Sequence, residues 1–495
     1  MQPLIPTLSL SDIFQILIEL MKHFLILIAM IFSQFTFAQT DCACEKELDF
    51  VMGYYERNLA AFADNVNDDN RSAYEAFKVD LRKEAQTVNL EADCFRVLTY
   101  YVEFFKDNHA SIYMRSQGVD EDNEAAVSQF LEADLFQSRE VYQLEEKDLK
   151  QYPLDDIRGI YRIDDVYEIA IVPSKTPFRD YVGVIISTKS KLWKKGQVKL
   201  EIKQVGDNQY QAFSFMRNHS LRYSGRYQLK NGILGDTWVK TSKGDGQSYA
   251  TNEDLSFHFK MLNDSIAYLR IPSFFGDYAA RIDSLYQAAD SQIRKTPYLI
   301  IDVRDNGGGS DRNVTPLLPY IYTNPIKGDR VDLLVTADNI NLWKKWQKEW
   351  EADSENYGSE QVAWIGKEIK RMEKAKPGSW IVRSKGGTHK TKDVVKSIKS
   401  VAIIQNQYCA SSCETLLFLA KQSEKTILVG ENSGGYVGYG ENGAVNTPCY
   451  NFSLTCPMTR YKEQRKYEAT GVIPDHQLAY DSDWIQQTIR LLEKE

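Results

Sequence analysis

The sequence predicts a mixed α/β protein, and three kinds of pattern predict it. Apolar residues recur at helical spacing over residues 45–106. Short β-rich runs alternate with turn residues over 155–260. Two near-continuous apolar runs, 298–303 and 400–405, read as strands buried inside a sheet. The first ends in a glycine loop and the second runs through a turn into a helix.

The chain has 495 residues, more than one ordinary domain holds. Its 43% hydrophobic and 12% aromatic content is enough to bury a core and excludes a disordered chain. The formal net charge is -8 and no long basic run occurs, so a nucleic-acid partner is excluded: phosphate contact needs clustered Lys and Arg.

Residues 1–38 are expected to be an upstream extension plus a signal peptide. Met21-Lys22-His23 precedes an apolar run over 24–32, and Thr36-Phe37-Ala38 places small residues at −3 and −1 of a cleavage site. The run is shorter than the roughly 20 residues a membrane span needs, so no stable span is expected after cleavage. Met21 makes a natural start, which leaves 1–20 as the extension. The expected location is exported, periplasmic or extracellular.

Residues 39–150 are expected to form an N-terminal helical domain. Leu48, Met52, Tyr55, Leu59 and Phe62 fall on one helical face, as do Tyr74, Phe77 and Leu81, and then Cys94, Leu98, Tyr101 and Phe105. Polar residues 67–71 read as a turn between two of these helices. Residues 151–262 are expected to form a β-rich domain, sandwich or barrel, with turn signals at Asp207-Asn208 and Lys230-Asn231-Gly232. Residues 263–326 and 396–495 are expected to form the catalytic core: strand 266–271, helix 277–293, strand 298–303, strand 400–405 and helix 412–421. The stretch between, 327–395, is charged and Trp-rich over 342–372 and is expected to be a helical insertion.

An exported chain keeps disulfides. Of seven cysteines, Cys449 and Cys456 are close enough to close a short loop, and Cys94 can pair with Cys42 or Cys44. Cys409 and Cys413 read as packed or disulfide-bonded. No cysteine pair has zinc-site spacing with histidine partners, and no metal or other cofactor is expected.

Two segments carry chemistry. In Asn406-Gln407-Tyr408-Cys409-Ala410-Ser411-Ser412-Cys413-Glu414, a buried strand turns into a helix with Ser411 at the junction. A hydroxyl there faces free amides and the positive end of the helix dipole, which suits an oxyanion. The same Ser411-x-x-Glu414 spacing is also a capping box. In Asp302-Val303-Arg304-Asp305-Asn306-Gly307-Gly308-Gly309-Ser310, three glycines after a buried strand allow close backbone approach and expose amides. The alternative is a tight turn with Asn306 as an Asx residue. No Gly-Lys-[Ser/Thr] follows, so the loop is not a P-loop.

These two segments, with Val429-Gly430-Glu431 and Glu468-Ala469-Thr470-Gly471-Val472-Ile473-Pro474-Asp475, resemble the catalytic core of the C-terminal processing (tail-specific) peptidases and tricorn-core proteases. The resemblance covers roughly 265–325 and 398–480, plus a short N-terminal stretch. It implies a ClpP/crotonase-like α/β core and a serine-type endopeptidase. Ser411 matches the nucleophile, while Gly308, Gly309 and Ser412 match the oxyanion hole. One branch of the family uses a lysine base, and Tyr436 stands at that lysine's position here. The tricorn-like branch uses a histidine. The segment Lys106-Asp107-Asn108-His109 resembles the one that supplies it, which implies His109 as general base and Glu468 as supporting carboxylate. Asn108 stands where tricorn has a serine. His219, His258, His389 and His476 lack a matching context and are expected on the surface or in loops.

The expected activity is hydrolysis of peptides or unfolded proteins through an acyl-enzyme on Ser411. The alternative is a catalytically inactive, peptide-binding relative in the cell envelope. The PDZ pattern of many relatives is absent between the helical region and the core, where the β-rich stretch stands instead.

Overall fold

The helical periodicity of the first segment becomes helices Cys44–Asn58, Ala60–Asn65, Arg71–Thr87 and Glu91–Glu103, in a computed structural model of the chain. That structure describes residues 42–145, 150–176, 178–243, 256–353, 356–480 and 482–494. The expected signal peptide lies outside the described residues. Tyr55, Tyr74, Phe95, Leu98, Tyr101 and Phe105 are buried together, with ring contacts such as Tyr101–Phe105 at 5.2 Å.

The β-rich stretch closes into a barrel running from Gly159–Ile163 to Trp238–Lys240. Its last strand pairs with its first through Tyr161↔Lys240 and Arg162↔Val239. Closure removes the exposed edges an open sheet would leave. His219 lies in a loop, one of the two placements expected for it. It is fully buried at the turn before Leu221–Lys230, and its Nε2 lies 2.8 Å from Leu192 O.

The core sheet has the order His258–Asn263, Ile266–Arg270, Tyr298–Asp302, Ser400–Gln405, Thr426–Gly430, His476–Gln477, and is parallel after its first pair. Tyr298–Asp302 and Ser400–Gln405 are neighbours in register, Asp302 opposite Ile404. Their carboxyl ends therefore open side by side. In open α/β sheets this is the edge at which ligands bind.

A second sheet ties distant segments together. Phe452–Tyr461 pairs with Ser111–Met114, Tyr439–Asn446 and Arg330–Leu334, and the last of these pairs with Trp380–Lys385. The stretch 327–395 thus supplies two strands of this sheet as well as helices Ala337–Ala352 and Ser359–Lys374. The pairing Ser111↔Thr455 anchors the end of the N-terminal segment two residues beyond His109.

Disulfides join Cys42 to Cys449 and Cys44 to Cys94. The first corrects the expected Cys449–Cys456 loop: the N-terminal helix brings Cys42 to Cys449, and Cys456 is a buried free thiol. Cys409 and Cys413 are also free and buried. Among the described residues no helix is long and apolar enough to cross a membrane, and no cluster of His, Cys, Asp and Glu has metal-binding form.

Candidate active site

The glycine loop follows strand Tyr298–Asp302, and an ion network fixes where it starts. Arg304 forks onto Asp302 (Nη2–Oδ2 2.7 Å), and Tyr268 donates to Asp302 Oδ2 at 2.7 Å. Burial works to raise the Asp302 pKa, but the Arg304 and Arg270 guanidiniums outweigh it and hold the carboxyl below its usual range. The Asp-x-Arg of the motif is therefore a structural clasp.

The loop is stitched to the serine turn. Asp305 N donates to Asn406 Oδ1 (2.9 Å) and Asn406 Nδ2 donates back to Asp305 Oδ1 (2.8 Å). Ala410 N donates to Asn306 O at 3.0 Å. Gly308 has φ +87°, and a Cβ there would lie 2.4 Å from Ala410 O, 2.7 Å from Ser411 Cβ and 2.8 Å from Ser412 N. Only glycine allows this approach. The Gly308 amide, expected as an oxyanion donor, donates instead to Asn306 Oδ1 at 2.9 Å. No acceptor for the amides of Gly309 or Ser412 is found among the described residues, and Gly309 is exposed.

Ser411 precedes helix Ser412–Ala420 with φ 55° and ψ -121°. A non-glycine residue in that region is strained by about 1–3 kcal/mol, and such strain clusters at functional sites. The serine sits at a sharp strand-to-helix turn, the setting of a nucleophile elbow, and is half-buried. Glu414 accepts from Ser411 N at 3.1 Å, as a capping box requires. The carboxylate does more than cap. It also accepts from Ser433 Oγ (2.6 Å), Gly435 N (2.7 Å) and Tyr436 N (2.7 Å). Burial pushes its pKa up to about 7 against those donors. Glu414 is the hub joining the serine turn to residues 433–436, a role its motif position did not disclose.

His109 arrives from the other end of the chain. Its N–H donates to Asp107 Oδ1 (3.0 Å) and its carbonyl accepts from Thr455 Oγ1 (2.5 Å). The imidazole stands edge-on to the Tyr436 ring, centroids 5.6 Å apart, and Tyr436 O accepts from Ser411 N at 3.1 Å. Among the described residues no hydrogen bond joins the Ser411 hydroxyl to the imidazole; Tyr436 links the two residues. Desolvation lowers the His109 pKa to about 4, with a smaller opposing effect from the Tyr439 main chain. Its Nδ1 is buried without a hydrogen-bond partner.

Glu468 accepts from Asn108 N (2.8 Å), Val437 N (3.0 Å) and Gly438 N (2.6 Å). It thus grips the backbone beside His109 rather than the ring. Asn108 Nδ2 donates to Gly435 O at 2.7 Å, which gives the asparagine a local tie of its own. Asp107 is buried and its carboxyl is pushed up by burial and by the nearby Glu468. Lys421 pairs with Asp475 (3.2 Å) and Lys425 donates to Val395 O (3.1 Å), so neither is held at the serine turn. Burial pushes the Cys413 thiol up, which disfavours a thiolate there.

Residues 265–478 match the family described as Peptidase family S41. No curated protein sequence matches the chain. Among solved structures the chain is similar to mature CPAF, at 12% identity over 91% of this chain and 96% of that one, TM-score 0.46. It is similar to the photosystem II D1 C-terminal processing protease, at 14% identity over 91% and 97% of the two chains, TM-score 0.37. It is also similar to the tricorn protease, at 12% identity over 91% of this chain and 37% of that one, TM-score 0.36.

Proposed function

We propose, from the premise that the chain carries a peptidase family S41 domain, that it is a serine endopeptidase of the histidine-using kind. The observation that carries this reading is the strained Ser411 turn, packed against Gly308 and tied through Tyr436 to the segment bearing His109. Ser411 Oγ attacks the scissile carbonyl as His109 takes its proton. The amides of Gly309 and Ser412 hold the oxyanion, while Gly308 keeps the two segments in contact. His109 then protonates the leaving amine, and water releases the acyl-enzyme. Glu468 supports the base by fixing the Asn108 backbone. A histidine held neutral by burial is in the form a general base needs. Two disulfides support maturation in an oxidising, exported compartment.

The test is hydrolysis of an unfolded protein by purified chain, with Ser411→Ala and His109→Gln beside it. The proposal expects cleavage by the wild type, none by Ser411→Ala, and a rate about 10²–10⁴-fold lower for His109→Gln. Cleavage that persists in Ser411→Ala overturns it.

A further inference from the structure

The barrel reaches into the candidate site through one bulge. Strands Gln209–Phe215 and Leu221–Lys230 pair as Tyr210↔Tyr227 and then Ala212↔Ser224. Two residues, Gly225 and Arg226, therefore stand opposite Gln211. A bulge of this kind twists its strand and re-aims a side chain. The side chain re-aimed here is Arg226, whose Nη1 donates to Gly434 O and Nη2 to Ala469 O.

Those two carbonyls belong to the segments that assemble the site. The Gly434 peptide also donates its N–H to Cys409 O at 2.7 Å, two residues before Ser411. The next two residues, Gly435 and Tyr436, donate to Glu414, and Tyr436 meets both Ser411 and His109. Ala469 follows Glu468, has φ 64° and donates to Gly435 O at 3.0 Å. One planar guanidinium thus bridges the segment under Ser411 and the segment holding the His109 backbone. A second barrel residue holds the stretch that leads into the serine turn. Asp236 Oδ2 accepts from Gln407 Nε2 (2.6 Å) and from Tyr408 OH, and Asp236 Oδ1 accepts from Tyr480 OH (3.0 Å).

We infer that the barrel is a positioning element for the peptidase site, with Arg226 as its principal positioning residue and Asp236 as its second. This inference rests on the proposed role of Ser411. Arg226 touches no reacting atom; it sets the spacing between the serine turn and the histidine segment. A fork that satisfies two carbonyls at once is a geometry lysine does not reproduce.

The test uses the full chain with Arg226→Ala, Arg226→Lys and a control, Arg222→Ala, at an exposed position earlier on the same strand. The rate of Ser411 modification by a fluorophosphonate and the kcat and KM for a peptide substrate are measured, with hydrogen–deuterium exchange over 432–438. The inference expects Arg226→Ala to lose at least tenfold in labelling rate and in kcat, with KM within twofold and faster exchange over 432–438. Arg226→Lys falls between, Arg222→Ala matches the wild type, and millimolar guanidinium ion restores part of the loss in Arg226→Ala alone. Labelling of Arg226→Ala at the wild-type rate overturns the inference and leaves the Ser411 reading intact. A wild type that takes no label removes the Ser411 reading; unchanged exchange in Arg226→Ala then overturns the clamp as well.

Discussion

The His109 imidazole stands edge-on to the Tyr436 ring, 5.6 Å between centroids, while the Tyr436 carbonyl accepts the Ser411 amide at 3.1 Å. One residue thereby touches both proposed partners.

The pH dependence follows from the burial of His109. Desolvation holds its pKa near 4, below the ordinary value of about 6.5. A base is lost as pH falls, so kcat/KM should stay level through pH 6.5 and fall only on approach to pH 4. An acid limb centred on 6.5 that persists in Glu414→Gln would mean a solvated base, since Glu414 itself is pushed up to about 7. The same shift affects stability. Between about 4 and 6.5 the unfolded chain binds more protons at this residue than the folded chain, so its contribution rises with pH across that window. The stability difference between wild type and His109→Gln, followed by urea unfolding from pH 4 to 7, should rise in step.

Strain at Ser411 makes a second prediction. At φ 55° and ψ -121° a side chain is unfavourable and glycine is not. Ser411→Gly should remove hydrolysis and raise stability by about 1 kcal/mol relative to Ser411→Ala, in which the strain remains. Thermal unfolding of the two variants checks it.

Glu414 gives a third. Four donors converge on its buried carboxylate. Ser411 N keeps Tyr436 O as an acceptor, but Glu414→Ala takes the acceptor from Ser433 Oγ, Gly435 N and Tyr436 N, and a buried unsatisfied group costs about 1–3 kcal/mol. The variant should lose at least about 3 kcal/mol in denaturant unfolding, together with its activity.

The disulfides give a fourth. With Cys409, Cys413 and Cys456 free, thiol titration of the unfolded, unreduced chain from residue 42 onward should find three thiols. Cys449→Ser frees Cys42 and should read four, with a loss of about 2–5 kcal/mol.

Strands and helices were legible where apolar residues run continuously or repeat with a helical period. The runs 298–303 and 400–405 became adjacent parallel strands, and the helical faces over 45–106 became packed helices. The serine turn and the glycine loop were legible because each packs a local signal into nine residues. Glu414 read only as a cap, because its other donors come from residues 433–436 and nothing local marks that convergence. The pairing of Cys42 with Cys449, 407 residues apart, has no sequence signal beyond the oddness of the count. His219 read as a surface or loop residue and is a loop residue; its burial had no local signal, because the ring packs on Trp193 at 3.9 Å and is sealed by Phe130 and Phe136. The strands within 327–395 were hidden because their partner, Phe452–Tyr461, lies far along the chain.

The most direct test of the central claim is peptide mapping by mass spectrometry after fluorophosphonate treatment of the folded chain. The account predicts a single adduct on Ser411, absent from Ser411→Ala and formed at least a hundredfold more slowly in His109→Gln. An adduct on another residue, or a folded wild-type chain that takes none, would contradict it.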